Sequence, residues 1–294
     1  MRVLIAIILM FGWADGFGQI IRAQPFHTRR AVSAVTDTLL LDSFPNATLA
    51  YSFRKLKTGY AGSAIRVRRS SDNTEQDIGF VSNYLDTASM KTFVGANNGL
   101  ITTWYAQGDS ARNCTQTTAA NQPRIINAGN IEYQNGKVTA IYDGTDLFNI
   151  TSIGPSDSSY SAFAIGRSNL TTNNITFFGR ATSGTNITLS RTGGRFYFQK
   201  STAYLESSAT DNTNAQILLS GISGASIFKQ YKNGSEISSS TVRTGINNNI
   251  TAIGRYNSAQ ITNGQIQELI IYFADKDSDR TGIERMINRF YAIY

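Results

Sequence analysis

The sequence predicts an all-β sandwich with a short internal helix and a C-terminal amphipathic helix, and three observations lead there. Only 16% of the 294 residues are charged, and Ser, Thr, Asn and Gly recur throughout. Short apolar-alternating segments follow one another, at residues 49–56, 64–68, 100–105, 138–142, 162–165, 175–178, 196–198, 217–219, 226–231, 250–253 and 266–273. No helical period interrupts them for long before the C-terminus. Gly, Asn, Asp or Ser separates most of these segments, so the chain reads as short strands joined by polar turns. Without crossover helices such strands pair antiparallel, and two such sheets bury their apolar faces against each other. No repeat of roughly 20–50 residues is present, which argues against a propeller or solenoid.

Two segments carry helix signals. Residues 86–94 offer Asp86 as N-cap and Asn97-Asn98-Gly99 as a stop. At the C-terminus, Thr281 and Glu284 have capping-box spacing, while Ile283, Met286, Ile287, Phe290, Tyr291 and Tyr294 fall at helical intervals. This stripe is expected to lie on the sandwich and close the domain.

The N-terminus sets a basic Arg2 before an apolar run over residues 3–13, with small residues Gly16 and Gly18 following. Residues 1–19 therefore read as a secretory signal or as an apolar N-terminal arm, too short to span a bilayer. Residues 20–47 show no sustained period and read as a linker or docking arm, leaving 48–294 as the globular domain.

The formal net charge of +7 suits an anionic partner such as an acidic glycan, or is simply a basic surface. The single cysteine, Cys114, excludes an internal disulfide and any multi-cysteine zinc site. The single histidine, His27, precedes the strand pattern, so a histidine-dependent triad has no candidate in the core. Phosphate-cradling loops and nucleic-acid motifs are absent, and Gly193-Gly194 reads as a hairpin turn. The many Asn-x-Ser/Thr sequences, at Asn46 and Asn233 among others, read as turn chemistry.

Several motifs carry a family resemblance. They are the segment from Ala50 to Leu56, the segment from Ala64 to Phe80, Thr103-Trp104-Tyr105-Ala106-Gln107, and the segment from Gln116 to Ile125. The ending, with Ile283-Glu284 and the closing Tyr291-Ala292-Ile293-Tyr294, belongs with them. Together they resemble the laminin-G-like, concanavalin A-like jelly-roll domains of phage structural and tail proteins and of Bacteroidetes surface proteins. More distantly they resemble the catalytic domain of fungal α-L-arabinofuranosidases of the B type. The likeness covers about residues 48–294 and is dense up to about Asp146.

It implies a jelly roll without catalysis, located in a virion or outside the cell, acting as a structural or host-attachment component. Its implied partners are other virion or surface proteins and a cell-surface glycan, with assembly into a homo-oligomer and no specific nucleic acid. A secreted arabinofuranosidase-type glycosidase and a lectin-like adhesin are the alternatives. One departure stands out: where the family reads Trp-Tyr-Asp-Gln, this chain has Trp104-Tyr105-Ala106-Gln107, so the turn lacks its usual carboxylate, with Asp109 a substitute.

For chemistry, glycoside cleavage needs two carboxylates about 5–9.5 Å apart. Glu75 and Asp77 share one strand face at i and i+2 and are the one plausible pair, although they fall inside the fold-wide motif. Arg66 and Arg68 alternate with Ile65 and Val67 and make a basic face for an anionic glycan or a neighbouring subunit. Tyr51, Tyr60, Trp104 and Tyr105 could supply a stacking platform for sugar rings, with Trp104 equally a core residue. In Tyr142-Asp143-Gly144-Thr145-Asp146 the two carboxylates could hold calcium, or the segment is an Asp-Gly hairpin turn; no other cofactor is implied.

Overall fold

The computed structural model describes residues 38–156, 159–169, 174–180, 186–201, 203–211, 213–241, 249–257 and 260–294. The signal-like segment, the basic stretch and His27 lie outside the described residues. Thr38–Tyr294 forms one compact unit.

Two antiparallel layers make a sandwich. The front layer runs, in hydrogen-bonding order, Ser235–Ser240, Phe228–Lys232, Ile217–Ser223, Tyr160–Ser168 and Asn263–Tyr272. Leu49–Ser52 and Ala140–Asp143 then lie end to end along the far edge of the last strand. The back layer runs Glu75–Ile78, Ile65–Arg69, Gly99–Trp104, Cys114–Thr115, Phe148–Ile153, Ile250–Ile253, Ile175–Gly179, Asn186–Thr192, Arg195–Ser201 and Ala203–Glu206. The expected segments all form strands. Other strands were not picked out by pattern, among them the polar edge Ser235–Ser240 and the short Ala203–Glu206.

The front layer is covered on both faces, which explains its nearly continuous apolar sequence. Ala162, Ala164, Leu219, Leu269 and Ile271 face the inter-layer core, whereas Phe163, Ile165, Leu218, Ile222, Ile270 and Tyr272 face a second cluster beneath the helices. A bulge at Gln267 makes this possible. Ile165 pairs with Glu268 and Gly166 with Ile266, so one residue is left over and the alternation shifts. Ile266 and Leu269 thereby both point into the inter-layer core, and Glu268 turns toward the helix side, away from an apolar interior it could not enter ionised. The bulged Gln267 uses its amide to donate to the carbonyls of Gln134, Lys137 and Val138, all at 3.2 Å, fixing the Tyr133–Val138 hairpin.

Three helices cover the sandwich. The first, α1 (Leu40–Ser43), buries Leu40 and Leu41 in the second cluster, so residues 38–47, expected as linker, pack with the sandwich. The second, α2 (Thr87–Val94), forms as expected with Asp86 accepting from the Ser89 amide, but Gly95 ends it, in the left-handed half of backbone space at φ +62°. The third, α3 (Arg280–Tyr291), buries Ile283, Ile287 and Tyr291. Its capping box does not form. Asp279 is the N-cap without a side-chain hydrogen bond, and Glu284 is buried and bonds Arg280 at 2.5 Å. Tyr294, past the helix end, is exposed.

Where α3 meets the first and last strands sits a buried ion pair. Arg54 donates from Nε and Nη2 to both oxygens of Glu268 at 2.8 Å each, Ser52 Oγ adds a third donor at 2.7 Å, and Tyr291 Oη a fourth at 3.2 Å. Arg54→Met should cost about 3–5 kcal/mol in chemical denaturation, because Glu268 is left charged and uncompensated. The double variant Arg54→Met, Glu268→Met should recover most of that loss. Additive losses from the two changes would show that packing around the side chains, and not their charge, sets the cost.

Candidate functional site

The predicted basic face forms, but its cations are spoken for. Arg66 and Asp77 are cross-strand partners, and the guanidinium donates from Nε and Nη2 to the carboxylate at 2.7 and 2.8 Å. Tyr105 Oη donates to the same carboxylate at 2.7 Å. These donors favour ionised Asp77, and the Arg66 hydrogen bond holds its carboxyl below the usual range despite some desolvation. Desolvation, together with the bond to Asp77, pushes the Tyr105 phenol up to about 12. Arg68 donates to Gln122 Oε1 at 2.7 Å and Asn73 Oδ1 at 2.8 Å. A general acid needs a raised pKa, so Asp77 is the wrong carboxylate for that task, and Glu75 stands exposed on an open strand instead of in a cleft.

The predicted stacking platform does not assemble. Tyr51 and Trp104 are fully buried, with Trp104 stacked on Phe53 at 4.8 Å and Tyr51 donating to the Arg112 carbonyl at 2.5 Å. They are core, and no sugar reaches them without opening the sandwich. Tyr60 is half-buried and spends its hydroxyl on the Ser63 carbonyl at 2.8 Å. In the altered turn Asn113 Oδ1 accepts from the Ala106 amide at 3.0 Å. Asp109 is exposed beside Lys57 and takes no part.

Asp143 and Asp146 come together, though not in a hairpin. Ala140–Asp143 pairs in the front layer and Phe148–Ile153 in the back one, so the Asp-Gly turn, with Gly144 at φ +102°, is a corner between layers. Both carboxylates serve that corner: Asp146 Oδ2 accepts the Asp143 amide at 3.0 Å, and Asp143 Oδ1 accepts the amide and hydroxyl of Thr145 at 2.8 and 2.7 Å. Among the described residues no group of three or more His, Cys, Asp or Glu side chains could hold a metal ion.

A site that the sequence reading did not pick out lies on the outer face of the back layer. Asn186–Thr192, Arg195–Ser201 and Ala203–Glu206 are consecutive antiparallel neighbours. Their inward residues Leu189, Phe196, Phe198 and Leu205 belong to the core. Period two then puts the alternate residues outside in two rows, Ser190–Tyr197–Glu206 and Thr188–Gln199–Tyr204. Tyr256 and Gln260, from the Arg255–Tyr256/Gln260–Ile261 hairpin, complete the wall of a cavity of about 400 Å³. Phe198 anchors the face from within. A Cβ built on Gly221 of the front layer would lie 2.3 Å from its ring, so only glycine admits this approach of the layers.

Hydrogen bonds pre-set the cavity. Tyr256 Oη donates to Gln199 Oε1 at 2.8 Å. Glu206 Oε1 accepts from Arg195 at 2.9 Å and from Tyr197 Oη at 3.0 Å, and desolvation with that bond raises the Tyr197 phenol. Tyr204 stands 57% exposed at the rim, enough to offer a ring face to a ligand. The signal was available in the alternation Arg195-Phe196-Tyr197-Phe198-Gln199, whose apolar residues mark the inner face and thereby the outer one.

No family model and no curated protein matches the sequence. Solved structures do. The chain is similar to a glycoside hydrolase family 54 α-L-arabinofuranosidase soaked with a cyclic sulfate inhibitor, with TM-score 0.64 and 14% identity over 84% of this chain. A mutant of such an enzyme soaked with 4-nitrophenyl α-L-arabinofuranoside gives 0.65 and 15% over 84%. An arabinofuranosidase complexed with arabinofuranosyl-α-1,2-xylobiose gives 0.58 and 15% over 82%. This chain spans 64% of the length of the first two and 62% of the third. The likeness is one of fold. The arabinofuranosidase half of the expected resemblance is thus supported at that level, while the phage and laminin-G half draws no support from these comparisons.

Burial raises the Asp146 carboxyl to about 7 from its ordinary 3.8, with the neighbouring Asp143 charge adding to desolvation and the Asp143 amide opposing it. Protonated Asp146 is therefore favoured by folding. Its stabilisation is complete below about pH 4 and is lost as pH rises through about 7. In Asp146→Asn the denaturation midpoint should fall less between pH 4 and 8 than in the unaltered chain, by on the order of 2 kcal/mol. Parallel pH profiles for the two would mean that Asp146 titrates normally.

Proposed function

We propose that this chain is a carbohydrate-binding β-sandwich, exported from the cell that makes it, whose saccharide site is the cleft over Asn186–Thr192, Arg195–Ser201 and Ala203–Glu206. The observation that carries the reading is the convergence of Tyr197, Tyr204 and Tyr256 with hydroxyl, amide and carboxylate groups around one cavity. A sugar ring has apolar C–H faces that bury against aromatic rings and a rim of hydroxyls that needs alternating donors and acceptors. Both are offered here, and a volume of about 400 Å³ falls within the usual range for small-molecule sites. The fold of the three arabinofuranosidases supports a carbohydrate-active role.

Binding is preferred to cleavage on one point. Glu206 is the only carboxylate among the described residues lining the cavity, and the two-carboxylate mechanism needs a partner across the scissile bond. A second reading, hydrolysis of an arabinofuranoside, is favoured by the backbone likeness.

One set of experiments separates the two. Titration calorimetry with arabinan and xylan oligosaccharides should show binding, weakened about tenfold by Tyr204→Ala and by Tyr256→Ala, since an aromatic stacking contact is worth about 1 kcal/mol or more. No released reducing sugar is expected. Turnover that vanishes in Glu206→Gln would replace binding by hydrolysis, and absence of binding to any saccharide would overturn the assignment of the cleft.

A further inference from the structure

We infer that the cleft selects uncharged saccharides over acidic ones, with Glu206 as the selecting residue; this rests on the saccharide reading of the same site. The argument starts from charge. Among the described residues that line the cavity, Thr188, Ser190, Thr192, Gln199 and Gln260 are neutral and the three tyrosines carry no charge below the phenol range, so Glu206 is the one ionised group among them. Its counter-charge, Arg195, stands on the neighbouring strand on the same outer face, outside the described lining, and bonds only Oε1. Tyr197 Oη closes the same oxygen.

Among the described residues no donor reaches Glu206 Oε2, which lies next to the exposed ring of Tyr204 two residues earlier on the same strand face. A carboxylate oxygen accepts hydrogen bonds and donates none. A sugar hydroxyl can donate to it, and the bond is stronger for being to an ionised group. A uronate, sulfate or sialate group in that place would put two acceptors of like charge together, with no lysine or arginine among the described lining residues and Arg195 already engaged on Oε1. The basic pair that could have drawn an acidic glycan, Arg66 and Arg68, is bound to Asp77, Gln122 and Asn73 elsewhere on the back layer. Net positive charge of the whole chain therefore does not translate into an anion site at the cleft.

The experiment is a competition between a neutral and an acidic probe of equal length, arabinan oligosaccharide and oligogalacturonate, by titration calorimetry at low salt. The unaltered chain should bind the neutral probe at least tenfold more tightly. In Glu206→Gln that ratio should shrink to within about threefold, mostly because the acidic probe gains, while the melting temperature stays within a few degrees. Tyr204→Ala, read beside it, should weaken both probes together and leave their ratio unchanged. Equal or tighter binding of the acidic probe by the unaltered chain overturns the inference and leaves the cleft as a saccharide site. A ratio untouched by Glu206→Gln overturns Glu206 as its cause. Failure of both probes, or indifference of both to Tyr204→Ala, removes the saccharide reading itself and the inference with it.

Discussion

The fold depends on the buried meeting of Arg54 with Glu268. The two residues are 214 positions apart, and their contact joins the segment just after the first strand of the sandwich to the last strand. Arg54 also lies over the rings of Phe290 and Tyr291, at 4.6 and 5.5 Å, so α3 is recruited by the same guanidinium. Its carbonyl and that of Ser52 accept from the Gln107 amide at 2.9 and 3.3 Å, and Gln107 Oε1 accepts from the Leu56 amide at 2.8 Å, which draws in the Trp104–Asp109 turn. A buried ion pair adds little net stability over a well-packed apolar pair, because desolvation offsets its attraction. What it contributes is exclusiveness. Any other register of the last strand, or any undocking of α3, strands a charge in the interior, and the bulge at Gln267 is the backbone adjustment that lets Glu268 reach its partners.

Much of this was legible in the sequence because the forces involved are local or periodic. Two-residue alternation marked many of the longer strands, and turn residues marked their ends. Gly193-Gly194, both at positive φ, makes the two-residue hairpin expected of it, with Thr192 opposite Arg195. Asn46 and Asn233 also sit at positive φ, consistent with turn chemistry. Helix α2 was readable from its N-cap and α3 from its stripe. The failures have a common cause in tertiary context. Glu284 had the spacing of a capping box, but burial under the helix gave it to Arg280. The Asp143-Gly144 turn had hairpin chemistry, yet its flanking strands pair with different layers, a choice made by long-range register that no local signal carries. Leu40 and Leu41 lacked a period because a helix of four residues has none to show.

The functional reading failed where it relied on residue type without knowing exposure. Tyr51 and Trp104 were plausible sugar platforms as aromatic residues, and the inter-layer core absorbed both. Arg66 and Arg68 were correctly placed on one strand face, but register set Asp77 opposite Arg66 and left neither arginine for a ligand. The tyrosines of the cleft gave a weaker signal. They come from three separate segments, around 197, 204 and 256, and only the pairing of neighbouring strands and the return of the Arg255–Tyr256 hairpin bring them together.

The cleft and the ion pair occupy the outer faces of opposite layers, and this separation has a consequence for function. The strands that bear the cleft keep their place through inward residues such as Leu189, Phe198 and Leu205, with the Phe198–Gly221 approach locking one layer to the other. Outward residues can then change without disturbing the core, since alternate positions answer to different neighbours. A backbone likeness at 14–15% identity is what such a division allows: the inner pattern maintains the sandwich while the outer rows are rewritten. Fold therefore fixes the inner pattern and leaves the chemistry of the face to the outer rows. Cutting requires a second acid placed across the bond from the first, whereas holding requires only ring faces, hydroxyl partners and a charge that suits the guest. Tyr197, Tyr204 and Tyr256 with the unengaged oxygen of Glu206 meet the second set of requirements, which is the ground on which recognition is proposed for the cleft.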